Sequence, residues 1–304
     1  MNLFKFVRRF AKLLLQIDTR LLRLEKAIGR IELRQSMSLE SSNLNDHEFQ
    51  VFSEWGEDGI IQYLVRNIDI ENNVFVEFGV EDYSESNTRF LLENNNWSGL
   101  VIDSSQANVD CIKNESMYWR CNLKAACEFV DIENINRIIE RNGLTGDIGL
   151  LSIDIDGNDY WLWNAINCIS PRIVICEYNS LFGPRAKVTI PYNEKFNRTV
   201  AHYSNLYMGA SIAALTSLAR EKGYSLVCSN SAGSNAFFVR NDVVGDLPIC
   251  EPESAYVESK FREARDEAGN LTFVCGDERL SLIGDLPIFD LDTQKTVKIK
   301  ELKI

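Results

Sequence analysis

The sequence predicts an α/β fold: a doubly wound, mainly parallel sheet with helices on both faces, preceded by an N-terminal coiled-coil helix. Two observations support this prediction. Short apolar runs alternate with helical stretches through the middle of the chain, and an apolar seam at heptad spacing precedes them. The runs span 74–80, 100–103, 148–154, 173–177, 225–228 and 236–239, and the helical stretches span 58–68, 87–95, 132–142, 159–167 and 209–223.

The first 35 residues form the heptad segment, which contains no proline. Its seam advances in alternating steps of four and three: Leu3, Val7, Phe10, Leu14, Ile17, Leu21, Leu24, Ile28 and Ile31. This spacing predicts a coiled coil, and Arg20 and Glu25 occupy the g and e positions of an interhelical pair in a parallel oligomer. The expected partner is therefore a second copy of the chain. The alternative is a helix that packs on its own domain.

The start of this helix is basic and aromatic. Phe4 and Phe6 stand among four cations: Lys5, Arg8, Arg9 and Lys12. A helix end of this composition is typical of contact with a membrane surface, so we also expect peripheral contact with the inner membrane.

The charge of the chain is uneven. Its formal net charge is −12, yet residues 1–35 hold nine basic and three acidic groups, a local excess of +6 that leaves −18 on the rest. A basic arm on an acidic body indicates that the two parts meet different surroundings. The acidic body argues against general nucleic-acid binding, because no surplus of Lys and Arg is present to neutralise phosphates.

Cysteine usage and hydropathy predict a cytoplasmic protein. The eight cysteines include no Cys-x-x-Cys pair, which favours small buried side chains in a reduced cytosol, with disulfides or zinc as the alternatives. No apolar stretch approaches the roughly 20 residues that span a bilayer, and the N-terminus lacks an uninterrupted signal-peptide core.

Four segments are predicted along the chain. They are the basic helix (1–35), a polar, Ser/Asn-rich linker (36–49), the main α/β domain (50–245) and a charged, less regular extension packed on that domain (246–304). His47, in the linker, is expected to be exposed.

In a doubly wound sheet a ligand lies at the carboxyl ends of the strands. Gly79 follows the first run and lets a ligand approach the backbone, and the helix that begins near Asn87 and Thr88 can offer free N–H groups to a carboxylate. The segment lacks the GxGxxG spacing of a pyrophosphate site, and its three acids would repel a pyrophosphate: Glu77, Glu81 and Asp82. A cationic ligand fits better. S-adenosylmethionine (SAM) carries a sulfonium and an ammonium, and Glu77 would suit the ammonium.

Asp103 ends the second run, about 25 residues after Glu77. An acid at this strand end is placed to accept hydrogen bonds from both hydroxyls of a ribose. The same acid would suit a dinucleotide enzyme, or it could cap the helix that follows.

The next two runs are followed by oxygen-bearing side chains that should meet at one edge of the sheet. Asp154, Asp156, Glu177 and Asn179 are candidate Mg²⁺ ligands, which could hold a substrate hydroxyl near a methyl donor. The alternative is that they cap helices and orient the substrate without a metal. For the general base, Asp156 and Asp159 compete with His202, which could equally be structural.

Residues 50–245 resemble the FkbM-like SAM-dependent methyltransferases, a class I, Rossmann-like family, and within it a bacterial branch found with surface-polysaccharide genes. The matching segments are 55–61 (WGEDGII), 76–82 (VEFGVED), 86–88 (SNT), 97–103 (WSGLVID), 151–160 (LSIDIDGNDY), 177–179 (EYN), 209–211 (GAS) and 235–240 (NAFFVR). The resemblance implies SAM as cofactor and O-methylation, most plausibly of a sugar hydroxyl in surface glycan (O-antigen or capsule) biosynthesis.

By position, the resemblance implies that Glu77, Gly79 and Asp103 bind SAM, with Asp154 beside the transferring methyl; Asn87 and Thr88, at the start of the following helix, are the other expected cofactor-binding residues. Tyr83 stands where similar sequences often have glycine.

Two other functions stay open at this point. One is a catalytically silent methyltransferase fold that serves as a scaffold in a polysaccharide assembly complex. The other is an enzyme that binds NAD or a nucleotide sugar, which the missing glycine spacing disfavours.

Overall fold

The computed structural model describes the main chain from residue 3 to residue 302, and side chains for Val7, Ile17 and residues 19–302. Ten strands lie in this part of the chain. They are β1 (Val74–Phe78), β2 (Ser98–Asp103), β3 (Leu123–Cys127), β4 (Gly146–Ile153), β5 (Ile169–Glu177), β6 (Val188–Thr189), β7 (Tyr224–Ser229), β8 (Asn235–Arg240), β9 (Pro287–Asp290) and β10 (Lys295–Lys298).

Seven of these strands form the central sheet, in the order β3-β2-β1-β4-β5-β8-β7. Strands β1 to β5 pair in parallel, whereas β8 runs antiparallel between β5 and β7. This is a Rossmann-like sheet, so the predicted doubly wound, mainly parallel sheet with helices on both faces is confirmed. The direction of winding reverses between β1 and β4. A crevice therefore opens there, outside the carboxyl ends of the strands.

Eleven α-helices surround the sheet within the described residues. They are α1 (Leu3–Ser36), α2 (Glu57–Asn67), α3 (Arg89–Asn94), α4 (Gln106–Asn114), α5 (Ser116–Arg120), α6 (Ile135–Arg141), α7 (Asp159–Ala165), α8 (Arg198–Ala201), α9 (Ile212–Glu221), α10 (Pro252–Ala255) and α11 (Asp277–Ile283).

Two apolar layers cover the two faces of the sheet. Successive side chains of β1 serve opposite layers, since Phe75 packs with α2 and α3 while Val76 packs with α6, α7 and α9. Both residues are fully buried, as expected for a parallel strand with helices on each side.

Each predicted apolar run lies on a strand of the central sheet, and each predicted helical stretch contains a helix. The sequence reasoning missed β3, whose residues Leu-Lys-Ala-Ala-Cys include none of the β-branched or aromatic side chains that mark strands. It also missed α4 and α5, together with the short strands outside the central sheet.

The C-terminal segment forms a second, smaller sheet with the chain between β5 and β7. Strand β9 pairs antiparallel with β6 on one side and with β10 on the other. Ile283, Ile288 and Ile299 of the C-terminal segment share an apolar cluster with Phe182 and Ile190.

Helix α1 packs on the main domain through one face only. Leu22 and Leu33 lie against a cluster of three phenylalanines, and Lys26 forms an ion pair with Glu93. Gly29 allows the close approach, because a Cβ there would lie 2.4 Å from Val51 Cγ2. The phenylalanines are Phe49, Phe52 and Phe90.

The opposite face of α1 carries the predicted heptad seam and faces solvent. Its described apolar side chains are 45% to 58% exposed: Val7, Ile17, Leu21, Leu24, Ile28 and Ile31. The side chains of Leu3, Phe10 and Leu14, and those of the basic and aromatic helix start, lie outside the described residues.

The segment predicted as a linker is anchored to the domain by buried residues. The prediction that His47 is exposed is wrong, because its side chain is 2% exposed. Its Nδ1 lies 2.9 Å from Ser36 Oγ, and its ring packs on Tyr63 with centroids 4.2 Å apart.

None of the helices in the described part of the chain combines the length and apolar character that a membrane crossing requires. The eight cysteines all lie within the described residues and are free thiols.

We predict that Gly29→Leu destabilises the protein by about 1–3 kcal/mol, because the added side chain overpacks the contact with Val51 and Phe90. The measurement is the midpoint of thermal unfolding. The control is Arg30→Leu on the exposed neighbouring position, which we expect to be close to neutral. Equal midpoints for Gly29→Leu and wild type would contradict this packing of α1.

Candidate active site

A cavity of about 620 Å³ occupies the crevice at the carboxyl ends of the parallel strands. Residues at or just past the ends of five successive strands of the sheet line it: Gly79 after β1, Asp103 on β2, Phe129 after β3, Asp154 after β4 and Glu177 on β5. The structure thus brings together Glu77, Gly79, Asn87, Asp103, Asp154, Asp156 and Glu177, which the sequence singled out.

Gly79 turns the chain at the end of β1. Its φ is +71°, and a Cβ at this position would lie 1.6 Å from the Asp154 carbonyl oxygen. Glycine is therefore required here both for the left-handed backbone and for the close approach of the β1 and β4 turns.

The Glu77 carboxylate is buried and caps the start of α3. Its Oε1 accepts the Asn87 N–H at 2.9 Å, and its Oε2 accepts the Thr88 N–H at 3.2 Å. Oε2 also accepts the hydroxyls of Ser86, at 2.6 Å, and Thr88, at 2.5 Å. These N–H groups are not free for a ligand carboxylate, contrary to the sequence-based expectation, because Glu77 itself accepts them. Burial raises the pKa of Glu77 although these hydrogen bonds lower it.

Thr88 is fully buried, and its hydroxyl lies 2.8 Å from the Tyr83 hydroxyl, so its role is to position this turn. Asn87 lines the cavity, and its Nδ2 donates to Ser152 Oγ at 3.1 Å.

The loop after Gly79 adopts a backbone that favours glycine. Glu81 and Tyr83 have φ of +47° and +67°. A non-glycine residue in this region costs on the order of 1 kcal/mol. The Tyr83 side chain offsets this cost because it is fully buried.

Asp103 presents a carboxylate to the cavity while it organises the chain around it. Oδ2 accepts the Glu81 N–H at 3.0 Å, and Oδ1 accepts the Ser105 N–H at 2.8 Å and Asn108 Nδ2 at 3.0 Å. Asp103 therefore holds the start of α4 through the Ser105 N–H, as the helix-capping alternative expected. The N-cap residue of α4 is nevertheless Ser105 and not Asp103. Each oxygen offers two lone pairs, so Oδ2 keeps a lone pair for a ligand hydroxyl.

Phe129 is a cavity residue that the sequence reasoning missed. It lies two residues past β3 and is 51% exposed, and Glu128 and Val130 line the cavity on either side of it. Because β3 itself was not predicted, no strand end pointed to these residues.

Three carboxylates, one buried and two half-buried, lie close together at the ends of β4 and β5. One oxygen from each of Asp154, Asp159 and Glu177 lies within 4.8 Å of the others. Burial and the charges of Asp156 and Asp159 raise the pKa of Asp154 well above its usual range, and burial and the charge of Asp154 do the same for Glu177. Burial raises the pKa of Asp159 to about 6. This arrangement of like charges favours a bound cation or a shared proton.

Three buried oxygens beside this cluster lack a hydrogen-bond donor among the described residues: Asn158 Oδ1, Glu177 Oε2 and Asn235 Oδ1. All three residues line the cavity. Buried acceptors are nearly always paired in native proteins, so these atoms indicate a ligand with donors or positive charge.

Asp156 and Arg198 form an ion pair at the wall of the cavity, with 2.6 Å between Arg198 Nη1 and Asp156 Oδ1. Glu263 pairs with Nη2 of the same guanidinium. The charges of Asp156, Glu177 and Glu263 raise the pKa of Arg198, although burial opposes them. The sequence analysis did not identify Arg198 as a site residue. It lies in a mainly polar segment and does not directly follow an apolar strand.

Asn179 and His202 do not join the acid cluster. The Asn179 amide donates to the carbonyls of Leu206 and Met208, and its Oδ1 accepts the Leu181 N–H, so the side chain is engaged in holding the loop. His202 lies outside the residues that line the cavity, with Nδ1 2.7 Å from Ser204 Oγ. Asp159, by contrast, belongs to the cluster, although its oxygens also accept the N–H groups of Ile155 and Gly157.

Residues 51–57, which we name the strap, bring a further acid to the cavity. Asp58 Oδ2 accepts the N–H groups of residues 51, 52 and 53 at 2.7, 2.7 and 3.0 Å. Glu57 Oε2 accepts the Trp55 N–H at 3.0 Å. Burial raises the pKa of Asp58 to about 6. These contacts fix Glu54 at the wall of the cavity, where burial and the charges of Glu85, Glu57 and Glu263 raise its pKa.

The charge of the cavity wall is strongly negative. Among the described residues that line it, Arg198 is the one cation. Nine are acids: Glu54, Glu77, Glu81, Glu85, Asp103, Glu128, Asp154, Asp156 and Glu177.

Solved structures similar to this chain include three methyltransferases. A SAM-dependent methyltransferase from Clostridium acetobutylicum ATCC 824 has 11% identity and a TM-score of 0.39, over 60% of this chain and 90% of that one. An O-methyltransferase from Bacillus cereus in complex with S-adenosylhomocysteine (SAH) has 14% identity and a TM-score of 0.37, over 68% and 88%. TrmK from M. capricolum in complex with SAH has 12% identity and a TM-score of 0.34, over 59% and 65%.

No family model matches the sequence, and no curated protein matches it.

Proposed function

We propose that this protein is a SAM-dependent O-methyltransferase that acts on a sugar hydroxyl. The observation that carries the proposal is the crevice between β1 and β4, whose lining has nine acids and one paired cation. Such a wall disfavours the pyrophosphate of a dinucleotide or a nucleotide sugar and favours a cationic cofactor.

The residues of the crevice fit the parts of SAM. Asp103 offers the remaining lone pair of Oδ2 to a ribose hydroxyl, and the exposed ring of Phe129 offers a face to a purine. Gly79 has no side chain and so leaves space for the amino-acid portion of SAM, close to the Asp154 backbone. Asn87 lines the same space and offers its side-chain amide. When bound, SAM supplies a methyl group activated by a sulfonium.

The protein residues would then align the acceptor and receive its proton. Asp154 and Glu177 lie at the carboxyl ends of adjacent strands, and burial raises the pKa of both. A carboxylate with a raised pKa is a better general base than an exposed one, so this pair is placed to take the hydroxyl proton. We favour this pair over His202, which does not line the cavity.

The same cluster fits Mg²⁺. Its donors are carboxylate oxygens, and the unpaired Oε2 of Glu177 is available to a hard cation. Asp154, Asp159 and Glu177 would hold the metal, with Asp156 held by Arg198 and Asn179 engaged elsewhere. The metal would supply charge that stabilises an alkoxide as it develops.

The biological setting is proposed from the sequence resemblance. The motifs shared with FkbM-like methyltransferases support an acceptor in bacterial surface glycan biosynthesis, such as O-antigen or capsule.

We further propose that α1 joins copies of the chain in a coiled coil. The main domain contacts the face that carries Leu22 and Lys26, while the heptad seam on the opposite face is about half exposed. An apolar stripe of this length in water favours association, and the heptad spacing suits a second copy of the same helix. Arg20 and Glu25 supply complementary charges along the seam. The basic start of the helix would then meet the inner membrane.

We predict that SAM and SAH bind to the wild-type protein and that Asp103→Asn weakens both by about tenfold or more, because it removes the charged acceptor for ribose hydroxyls. Calorimetric titration is the measurement. Asp110→Asn is the matched control, because Asp110 is exposed on α4 and lies outside the cavity lining. Absence of SAM binding to the wild type would instead favour a catalytically silent scaffold.

We predict that Mn²⁺, used as a probe for Mg²⁺, binds in the crevice and that Glu177→Gln weakens it by about tenfold or more. Electron paramagnetic resonance of free Mn²⁺ gives the bound fraction without an activity assay. Glu128→Gln, at the Phe129 end of the same cavity, is the control and should bind Mn²⁺ as the wild type does. Equal binding by wild type and Glu177→Gln would reject this metal site.

We predict that the double substitution Leu24→Glu, Ile28→Glu reduces the solution mass to that of one chain, because two carboxylates per helix cannot enter an apolar seam. Light scattering after size exclusion measures it. The control is Arg23→Glu, Arg30→Glu, which places two carboxylates on exposed positions outside the seam and changes the net charge by −4, against −2 for the seam variant. A wild-type protein that is already monomeric but binds anionic vesicles would assign the exposed seam to the membrane and overturn the coiled coil.

A further inference from the structure

We infer that a smaller cavity beside the crevice is a carboxylate-binding subsite, in which the buried guanidinium of Arg279 binds a carboxylate next to the place of the acceptor. The carrier of that carboxylate, but not the subsite itself, rests on the proposed methyl transfer.

The smaller cavity has a volume of about 40 Å³ and adjoins the large one. Glu177 and Arg198 line both cavities, so the two spaces share a wall. Among the described residues, Gly79 and Asn87, beside which the amino-acid portion of SAM is proposed to lie, line only the large cavity. A group in the smaller cavity would therefore lie beside Glu177, which is proposed to receive the proton of the acceptor.

Arg279 brings a buried positive charge to the smaller cavity. The residue lies on α11 and is 4% exposed. Its Nη1 donates to Ser259 Oγ at 3.2 Å, and its Nη2 donates to Glu258 Oε1 at 3.3 Å. Its Nε is buried and has no acceptor among the described residues. The two hydrogen bonds engage fewer than half of the N–H groups of a guanidinium, so this side chain has donors to spare.

The acids near Arg279 do little to offset its charge. The side chain of its ion-pair partner, Glu258, is 61% exposed, and such pairs contribute little. Glu263 lines the cavity but is paired with Arg198. Burial raises the pKa of Glu177 well above its usual range, which disfavours its charged form. A buried cation with one weak pair is costly, and an anionic ligand would lower that cost.

The size and the donors of the cavity favour a carboxylate. A volume of about 40 Å³ accommodates only about two or three water-sized groups, which suits the two oxygens of a carboxylate better than the bulk of a phosphate. The unpaired Nε and the neighbouring Nη2 form an edge of the guanidinium that binds a carboxylate through two parallel hydrogen bonds. Ser259, which accepts from Nη1, lies with its Oγ 2.6 Å from Ser180 Oγ, so the guanidinium is held by a buried pair of hydroxyls.

Acetate is the probe for the subsite, because it is a carboxylate without a hydroxyl. Saturation-transfer NMR of its methyl protons with the full-length protein, at constant ionic strength, measures binding. We expect acetate to bind to the wild type and Arg279→Gln to weaken this binding by about tenfold or more, because the charge and the paired donors are lost. Arg265→Gln is the matched control, since Arg265 is exposed on the same C-terminal segment and lines neither cavity, and it should bind acetate as the wild type does.

Glu258→Gln distinguishes a ligand-binding role of Arg279 from a structural one. It removes the charge that competes for Nη2, so we expect acetate to bind about threefold more tightly. A guanidinium that only braces the fold would gain no affinity for acetate from this change. If the thermal unfolding of Arg279→Gln shows that it does not fold, Glu258→Gln decides. No acetate binding, equal binding by wild type and folded Arg279→Gln, or no gain in Glu258→Gln would each overturn the subsite.

A matched pair of glycosides, tested with SAH present, identifies the carrier of the carboxylate. Methyl glucuronide has a carboxylate where methyl glucoside has a hydroxymethyl group. We expect the glucuronide to bind about tenfold more tightly and this preference to disappear in Arg279→Gln, which would place the carboxylate on the acceptor. Equal binding of the two glycosides, with acetate bound through Arg279, would overturn that assignment and identify a separate small acid as the ligand.

Calorimetric titration with SAH on the same samples separates the subsite from the proposed function. We expect Arg279→Gln to bind SAH as the wild type does. If the wild type does not bind SAH, the proposed methyl transfer fails, whereas the acetate results still decide the subsite. If folded Arg279→Gln loses SAH together with acetate, the guanidinium binds the carboxylate of the cofactor, and a subsite beside the acceptor is overturned.

Discussion

The buried carboxylate of Glu77 connects the cavity edge of the sheet to the N-terminal segments of the molecule. It accepts hydrogen bonds from Ser86, Asn87 and Thr88, which ends the loop after Gly79 and starts α3. The Ser86 N–H in turn donates to the Phe52 carbonyl at 2.8 Å, which ties the strap to this turn. Phe52 packs beside α1 and lies 4.8 Å from the Arg89 guanidinium. The position and orientation of the crevice wall, the strap and α1 therefore depend on one satisfied buried charge, which would be costly to bury unpaired.

The crevice concentrates acids that the rest of the fold does not neutralise. Asp154, Asp159 and Glu177 are held by strand and turn geometry at distances where like charges disfavour full ionisation. Such a cluster is stable when a proton, a metal ion or a cationic ligand reduces the repulsion. The proposed cofactor, the proposed metal and the proposed general base are three ways to satisfy the same electrostatic constraint, and the unpaired oxygens of Asn158 and Asn235 lie at the same wall.

Helix α1 has two faces with different tasks. One face is shaped to the domain, since Gly29 permits contact with Val51 and Lys26 reaches Glu93. The other presents apolar side chains to water, as Ile17, Leu21, Leu24, Ile28 and Ile31 show within its described part. If a second copy of the helix packs on the seam, as proposed, α1 would connect the domain rigidly to that copy.

The sequence by itself determined the class of fold, because periodicity and strand-end residues are local properties of the chain. The runs around Val76, Leu151 and Val174 read as buried parallel strands, and Gly79, Asp103 and Asp154 were placed correctly at one edge. Local patterns did not predict β3, because its residues have weak strand propensity and the strand is stabilised by pairing with β2. Phe129, which follows β3, was therefore not identified as a residue of the cavity. Only the tertiary structure decided which distant residues share the crevice. Glu54 meets Arg198 and Asn235 there although it lies more than a hundred residues from both, and no spacing along the chain encodes that proximity. The fold likewise decided that His47 is buried and that the domain contacts the face of α1 opposite its seam, since burial depends on what packs against a residue.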